Sequence, residues 1–216
     1  MDSRLGEKTV KPRDTERIPT QPFDPLATDR IRISDPPSSV GTMGMWLLIA
    51  SLSMLFGALL VGYLVIRSRA PEWPPPGSPP LPAGLWISTA LLFLQSILLV
   101  FGERWTRAGQ IERGARTLGT ALLVGIAFLA NQVANWMGMA SASVLPDRSL
   151  LVWGFYVLTF LHAAHVLAGL VPMILIAVRA RRGRYTAADC EGVHLVGMYS
   201  HFLVATWVVI LIVLSF

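Results

Sequence analysis

The chain has 216 residues, of which 53% are hydrophobic and 14% are charged, and this composition excludes an ordinary soluble globular protein. Its formal net charge is +5, but the basic residues concentrate beside apolar segments, as membrane topology requires, so we exclude a nucleic-acid partner. The single cysteine, Cys190, excludes an internal disulfide and any metal site built from several thiolates.

Residues 1–42 precede the first long apolar segment and are predicted to form a disordered cytoplasmic arm. Up to residue 40 they contain seven Lys or Arg and seven Asp or Glu, with many Pro, Thr and Ser. Such a segment buries too little apolar surface to fold by itself. It also lacks the apolar region of a signal peptide. A docking tail for a partner subunit is the alternative interpretation.

Five stretches of about 20 apolar residues follow, and each is long enough to cross a bilayer. The predicted spans are 43–66, 84–102, 117–136, 150–178 and 192–216. We therefore predict an all-α fold, an integral membrane bundle of five transmembrane helices formed by residues 43–216.

The distribution of Lys and Arg predicts the orientation of this bundle. Counting the arm and alternate connections, 15 of the 18 basic residues lie on one side of the membrane and 3 on the other. Cytoplasmic segments carry the excess of Lys and Arg. The N-terminus is therefore expected in the cytoplasm and the C-terminus outside.

Span three is aliphatic until it reaches Asn131, Gln132 and Asn135 near its end. Amides at that position of a membrane helix usually form hydrogen bonds with neighbouring helices. We interpret these residues as contacts between helices, with a ligand site as the alternative.

Span four carries His162 and His165, and Gly169 and Pro172 continue the same helix face. Histidines inside an apolar span are costly unless they face protein. The small Gly169 would let another helix approach closely.

Span five carries His194, Met198 and His201 on one face. Three interpretations of the four histidines remain open: hydrogen-bond donors to other helices, axial heme ligands, or a copper, other metal or proton-handling site. His162 and His165 lie on one helix and cannot hold one heme from opposite faces, although His165 could pair with His201.

The acidic residues limit what proton chemistry the chain can perform. The 13 Asp and Glu residues lie in the arm, in connections or near span ends, and none lies in the middle of a span. Membrane proton relays normally use carboxylates at depth. The chain alone is therefore not expected to carry a carboxylate-based proton path.

The segment from Tyr156 to Leu170 resembles the "FYxLTxxHxxHVxxGL" helix of subunit III of the heme-copper terminal oxidases, the cytochrome c oxidase family. Residues 46–57, with Tyr63 and Arg67, are similar to the family's "WLFLxSExMFFGxxxxxY" helix. Residues 81–92 are similar to its "LPxxLxNTxLL" motif.

Two further motifs lie on spans three and five. Phe128, Leu129, Gln132 and Trp136 match "FLxxQxxEW", and the last span matches "YWHFVDxVW" at Tyr199, His201, Phe202 and Trp207. The resemblance therefore covers about residues 43 to 216, with one motif on each span. The five-span form resembles bacterial members of the family.

The sequence departs from the family pattern at its acidic positions. The glutamates of spans one, three and five fall on Leu52, Asn135 and His194, and the aspartate after His-Phe falls on Val204. Ser200 replaces the tryptophan before the last histidine. A proton role implied by the resemblance is therefore less expected than the fold and membership of the complex.

The resemblance implies a non-catalytic subunit of a bacterial respiratory oxidase that reduces oxygen to water with electrons from cytochrome c or quinol. Such a subunit carries no heme or copper, which are expected in the catalytic partner. It would pack with subunits I and II in the plasma membrane and bind phospholipid in a cleft. The candidate lipid-cleft or packing residues are His162, His165, His194, His201, Gln132, Asn135, Tyr199, Trp207 and Arg67.

Three alternatives remain at this stage. An accessory subunit of a nitric oxide reductase would suit the loss of acidic residues. A small b-type cytochrome would use the four histidines as ligands. A transporter is disfavoured, because no charge lies at depth and Pro172 is the one interruption expected within a span.

Overall fold

The computed structural model describes residues 38–72, 80–141, 150–182 and 190–215. Within these ranges the chain forms five helices, each long and apolar enough to cross a membrane. They are α1 (Ser38–Ser68), α2 (Gly84–Arg107), α3 (Ile111–Ser141), α4 (Leu150–Arg181) and α5 (Glu191–Ser215). The predicted all-α bundle of five membrane helices is confirmed.

The helices extend beyond the predicted spans, because hydropathy detects only the segment that lies in the hydrocarbon. Helix α1 begins at Ser38, so residues 38–42, which we assigned to the arm, are helical. The rest of the predicted arm lies outside the described residues. Helix α3 begins with a charged turn in which Arg116 donates to Glu112. Such i,i+4 pairs support helix beyond the apolar core.

A tight turn joins α2 to α3. The N–H of Gly109 donates to the carbonyl of Thr106 at 3.1 Å, and the N–H of Gln110 donates to that of Trp105 at 2.9 Å. This pair of bonds is the Schellman arrangement that ends helices. Gly109 has a φ of 75°, a conformation that costs glycine little. The turn makes α2 and α3 an antiparallel hairpin.

Small residues let the two helices of this hairpin pack closely. A Cβ added to Gly102 would lie 2.8 Å from the Leu118 side chain. A Cβ on Gly114 would lie 2.4 Å from Thr106 Oγ1, 3.2 Å from its backbone nitrogen and 3.3 Å from the Gly102 carbonyl oxygen. Membrane helices associate through such van der Waals contact, since lipid is as apolar as their side chains.

Helices α2 to α5 form a closed four-helix bundle. Helix α2 packs on α3, α3 on α4, α4 on α5, and α5 returns to α2. Helix α1 packs on α5 and α4 alone among the described helices. Only 17% of the residues in the most apolar segment of α1 are buried, against 44% in the corresponding segments of α4 and α5. Helix α1 is therefore peripheral, and most of its surface faces outward.

Two close approaches attach α1 to the bundle at opposite ends. Near its start, a Cβ on Gly41 would lie 2.6 Å from Glu191 Oε1 of α5. Near its end, the Tyr63 ring packs against Gly154 of α4, where an added Cβ would lie 2.5 Å from the ring. Arg67 donates from Nη1 to the carbonyl of Val213 at 3.3 Å. Helices α1 and α5 therefore run parallel.

Replacing Gly114 with alanine should destabilise the α2–α3 hairpin. The new methyl group would meet backbone atoms of α2, which cannot move without separating the helices, so we expect a cost of about 1–3 kcal/mol. The thermal stability of the detergent-purified protein measures this effect. Gly138→Ala is the matched control, because Gly138 has nothing within 4 Å of its added Cβ. Equal stability of both variants would contradict this account.

Candidate functional site

A buried hydrogen-bond network joins α2 to α3 near one end of the bundle. Ser88 donates from its hydroxyl to Gln132 Oε1 at 3.2 Å, and both side chains are fully buried. Asn131 donates from Nδ2 to the Ser88 hydroxyl at 2.8 Å and to the carbonyl of Gly84 at 2.9 Å. The amides predicted to contact neighbouring helices therefore bond to α2.

Asn135 belongs to the same end of the bundle. A Cβ on Gly84 would lie 1.9 Å from Asn135 Oδ1, so the absence of a side chain at Gly84 makes room for this amide. Gln132 Nε2 and Asn135 Nδ2 are buried and have no hydrogen-bond partner among the described residues. These two amides are the polar groups of this network that the described residues leave unsatisfied.

His162 lies at the centre of the bundle in an aromatic cage. Its exposure is 0%. The ring lies 5.1 Å from Trp207, 6.0 Å from Phe128 and 6.2 Å from Phe56, measured between centroids. Neither ring nitrogen has a hydrogen-bond partner among the described residues. Among the described residues, His162 therefore does not fit the first of the three interpretations, a hydrogen-bond donor to another helix.

Trp207 joins α5 to α2 on the other side of this cage. Its Nε1–H donates to Thr89 Oγ1 at 3.0 Å, and the side chain is 1% exposed. The Phe128 ring meets it edge-on at 5.5 Å. Trp207 thus packs at a junction of α2, α3, α4 and α5.

Tyr199 and His165 connect α5 to α4. The Tyr199 hydroxyl donates to the backbone carbonyl of His165 at 3.0 Å. A Cβ on Gly169 would lie 2.7 Å from the Tyr199 ring, so Gly169 is what allows this close approach. His165 Nδ1–H donates to the carbonyl of Leu161 on its own helix at 2.8 Å. The imidazole of His165 therefore makes no hydrogen bond between helices among the described residues.

A cleft of about 560 Å³ lies between α1, α4 and α5. Its walls are mainly aliphatic, and Pro172 and Gly169 form part of the α4 wall. Pro172 has no N–H for the carbonyl of Ala168, which also lines the cleft. The polar or charged side chains are His165, Tyr199 and Arg179.

The other two histidines lie where α2 meets α5. His194 Nδ1–H donates to Glu103 Oε1 at 3.1 Å. His201 Nδ1 lies 2.7 Å from Ser96 Oγ. Both imidazoles therefore bond to side chains of α2, His194 to the Glu103 carboxylate and His201 to the Ser96 hydroxyl.

The positions at which the sequence departs from the family pattern have different surroundings. Leu52 is 8% exposed and lines the cleft, and Val204 is 7% exposed in the core. Ser200 borders a cavity of about 10 Å³ with Gln95. Leu52 and Val204 are thus apolar and buried, whereas His194 and Asn135 are polar.

Sequence reasoning missed four residues that make these contacts: Ser88, Thr89, Ser96 and Glu103 of α2. The available signal was their spacing, since hydroxyl groups repeat on an otherwise apolar helix. Among the described residues, no three His, Cys, Asp or Glu side chains are grouped as a metal site.

No protein-family model matches this sequence. The chain is 30% identical over 171 residues to cytochrome c oxidase subunit 3 of Synechocystis sp., covering 78% of this chain and 72% of that protein. It is 25% identical over 169 residues to the same subunit of Thermostichus vulcanus, covering 78% and 83%. A probable cytochrome c oxidase subunit 3 of Nocardia farcinica is 28% identical over 187 residues, covering 84% and 89%.

The chain belongs to the cytochrome c oxidase subunit 3 family. The resemblance inferred from five sequence motifs is therefore confirmed. The chain is a subunit III of a heme-copper oxidase and a multi-pass membrane protein. The nitric oxide reductase and cytochrome alternatives are not favoured.

Replacing His162 with leucine should leave the stability of this subunit III unchanged or raise it. A buried polar group without a partner costs about 1–3 kcal/mol, and leucine removes that cost while filling similar space. His201→Leu should instead lower stability by about 1 kcal/mol, since it breaks the bond to Ser96. Thermal unfolding in detergent compares the two variants. A lower stability for the His162 variant would show that this imidazole has a partner.

Proposed function

We propose that this subunit III supports the catalytic subunit of its oxidase through helix packing and by holding phospholipid in the cleft between α1, α4 and α5. The observation that carries the proposal is the cleft itself, with aliphatic walls and one cation at its border. The chain would contribute no redox centre, and the heme and copper would lie in the partner subunit.

The size and lining of the cleft suit an acyl chain. A volume of about 560 Å³ lies within the usual range for small-molecule sites, about 300–1,000 Å³. Leu48, Ala168 and Leu175 line the cleft and are exposed, so its walls are accessible from outside the bundle. In a membrane protein the surroundings of such a surface are lipid.

Arg179 supports phospholipid in particular. It lies in the last turn of α4, where the helix leaves the apolar region, and it also lines the cleft. A guanidinium there can bind a phosphate through paired hydrogen bonds while the acyl chain lies against Gly169 and Pro172. The candidate residues His165 and Tyr199 would border the part of the acyl chain that lies deeper in the cleft.

The remaining candidate residues would act by packing. Gln132 bonds α3 to α2, Asn135 fits against Gly84 of α2, and His162 packs within its aromatic cage. Trp207, His194 and His201 bond α5 to α2, and Arg67 bonds the end of α1 to α5. A rigid bundle of this kind presents a fixed surface to subunits I and II.

The same proposal assigns an orientation and a domain division. The excess of Lys and Arg supports a cytoplasmic N-terminus and an external C-terminus in the bacterial plasma membrane. The predicted arm, residues 1–42, would lie in the cytoplasm before the transmembrane domain of residues 43–216, with its last residues, 38–42, already part of α1. The electron donor would be cytochrome c or quinol.

Filling the cleft should reduce the phospholipid that purifies with the complex. Ala168→Trp would occupy the space of an acyl chain, whereas Leu167→Trp on the adjacent, exposed position outside the cleft lining is the matched control. Quantitative lipid mass spectrometry of the complex measures the effect. Equal lipid content in the two variants would contradict lipid binding in this cleft.

Replacing Arg179 with glutamine should weaken binding of anionic phospholipid to the cleft. The loss of one cation at the membrane surface is worth about 1 kcal/mol, close to a fivefold change. Exchange of labelled anionic and zwitterionic lipids into the purified complex separates charge recognition from simple chain packing. An equal loss of both lipids would argue against a role of the guanidinium in headgroup recognition.

Purification through a tag on this chain in mild detergent tests membership of the oxidase. Mass spectrometry should identify a heme-copper catalytic subunit and subunit II, and the optical spectrum should contain the bands of the heme in that catalytic subunit. Co-purification with a nitric oxide reductase core, or of the chain alone with a b-type spectrum, would overturn the proposal.

A further inference from the structure

A small cavity lies between α2, α4 and α5, apart from the cleft beside α1. Its volume is about 10 Å³, and one water molecule needs about 10–15 Å³ of such space. Two of the side chains that line it are polar, Gln95 of α2 and Ser200 of α5, and the others are aliphatic residues and a glycine. Both polar residues lie well inside membrane-spanning helices, where polar side chains need partners within the protein.

The Gln95 amide is buried and has few partners. The residue is 5% exposed. Among the described residues its side chain makes one hydrogen bond, from Nε2 to Met173 Sδ at 3.5 Å, and a thioether sulfur is a weak acceptor. A Cβ on Gly125 would lie 2.7 Å from Nε2, so the amide lies against the backbone of α3. The carbonyl oxygen of the amide is therefore left to find a donor at the cavity that Gln95 lines.

Ser200 supplies the second polar group of the cavity. Hydroxyl side chains in helices often donate to the carbonyl one turn earlier, as those of Ser53, Thr89 and Thr106 do. Among the described residues, the Ser200 hydroxyl makes no hydrogen bond of this kind. Ser200 also stands where the family pattern has a tryptophan, and a side chain as small as serine takes up little of the space.

The surroundings of the cavity indicate which ligand it suits. Among the described residues that line it, none is charged, so the cavity offers no counter-charge to an ion. The neighbouring polar groups already bond to each other, since the Ser96 hydroxyl lies 2.7 Å from His201 Nδ1. An acyl chain would leave the Gln95 carbonyl oxygen and the Ser200 hydroxyl without partners, which is costly in a buried site. A small neutral ligand that both donates and accepts is therefore favoured.

We propose that this cavity binds one water molecule that bridges Gln95 of α2 and Ser200 of α5. The water donates to Gln95 Oε1 and accepts from the Ser200 hydroxyl, and a bridge of this kind is nearly as favourable as a direct hydrogen bond. It adds a contact between α2 and α5 inside the membrane, where the two side chains make no direct hydrogen bond. This site is separate from lipid binding in the cleft, and neither depends on the other.

Electron cryo-microscopy of the intact oxidase complex, at a resolution that shows ordered water, tests the site directly. We expect one compact density within hydrogen-bond distance of both the Gln95 amide and the Ser200 hydroxyl. In Ser200→Ala this density should weaken or vanish, while the contact between Ser96 and His201 stays. Well-ordered side chains with no density between them would overturn the proposal. So would an elongated density that enters past Gly169, which borders both the cavity and the cleft, because it would identify an acyl chain.

Thermal unfolding of the complex tests the bridge in solution through two backgrounds. Ser200→Ala should lower the midpoint by about 2–4 °C in the natural sequence, since it deprives the buried amide and its water of a partner. The same replacement should have little effect in Gln95→Met, because no amide is left to bridge. Ser53→Ala is the matched control, since Ser53 bonds within α1 and should give equal shifts in both backgrounds. Equal shifts for Ser200→Ala in the two backgrounds would show that no water couples the two residues.

Discussion

The structure depends on the requirement that polar groups inside a membrane find partners within the protein. Helix α2 meets this requirement with side chains on both of its neighbours. Ser88 bonds to α3, and Thr89, Ser96 and Glu103 bond to α5 at successively later turns. Because α2 and α5 run antiparallel, these contacts fix the register of the two helices along their length.

Helix α1 is attached mainly through apolar contacts, together with the bond from Arg67 to the Val213 carbonyl of α5, and the cleft lies beside it. Helix α1 meets the bundle at Gly41, at Phe56, whose ring packs near His162 and His165, and at Tyr63, and among the described helices it packs on α4 and α5. Between these attachments, α4 presents Gly169 and Pro172, where little side-chain volume fills the gap. Polar contacts therefore pack the four-helix bundle tightly, whereas α1 packs more loosely through mainly apolar contacts. The cleft lies between the two.

The fold could be predicted from the sequence because membrane spans are long and their hydropathy is a strong signal. Interhelical contacts were harder to predict. The sequence indicated that Asn131 and Gln132 contact other helices, because amide side chains stand out in an apolar helix. The sequence did not indicate the roles of Ser96 and Glu103. A serine is hard to distinguish from the other small residues of a membrane helix, and Glu103 lies just beyond the predicted span. Among the described residues, His162 has no partner of the kind that the hydrogen-bond donor interpretation requires.

The positions at which the sequence departs from the acidic family pattern differ in the polarity of their surroundings. Leu52 stands in the cleft, where a carboxylate would need a cation or water, and an aliphatic wall suits an acyl chain better. His194 lies where α2 meets α5 and donates to the Glu103 carboxylate of α2. Position 194 is thus polar and lies beside a carboxylate partner, whereas position 52 is aliphatic and lines an aliphatic cleft. The polar contacts with α2 and the cleft beside α1 and α4 therefore belong to different surfaces of α5.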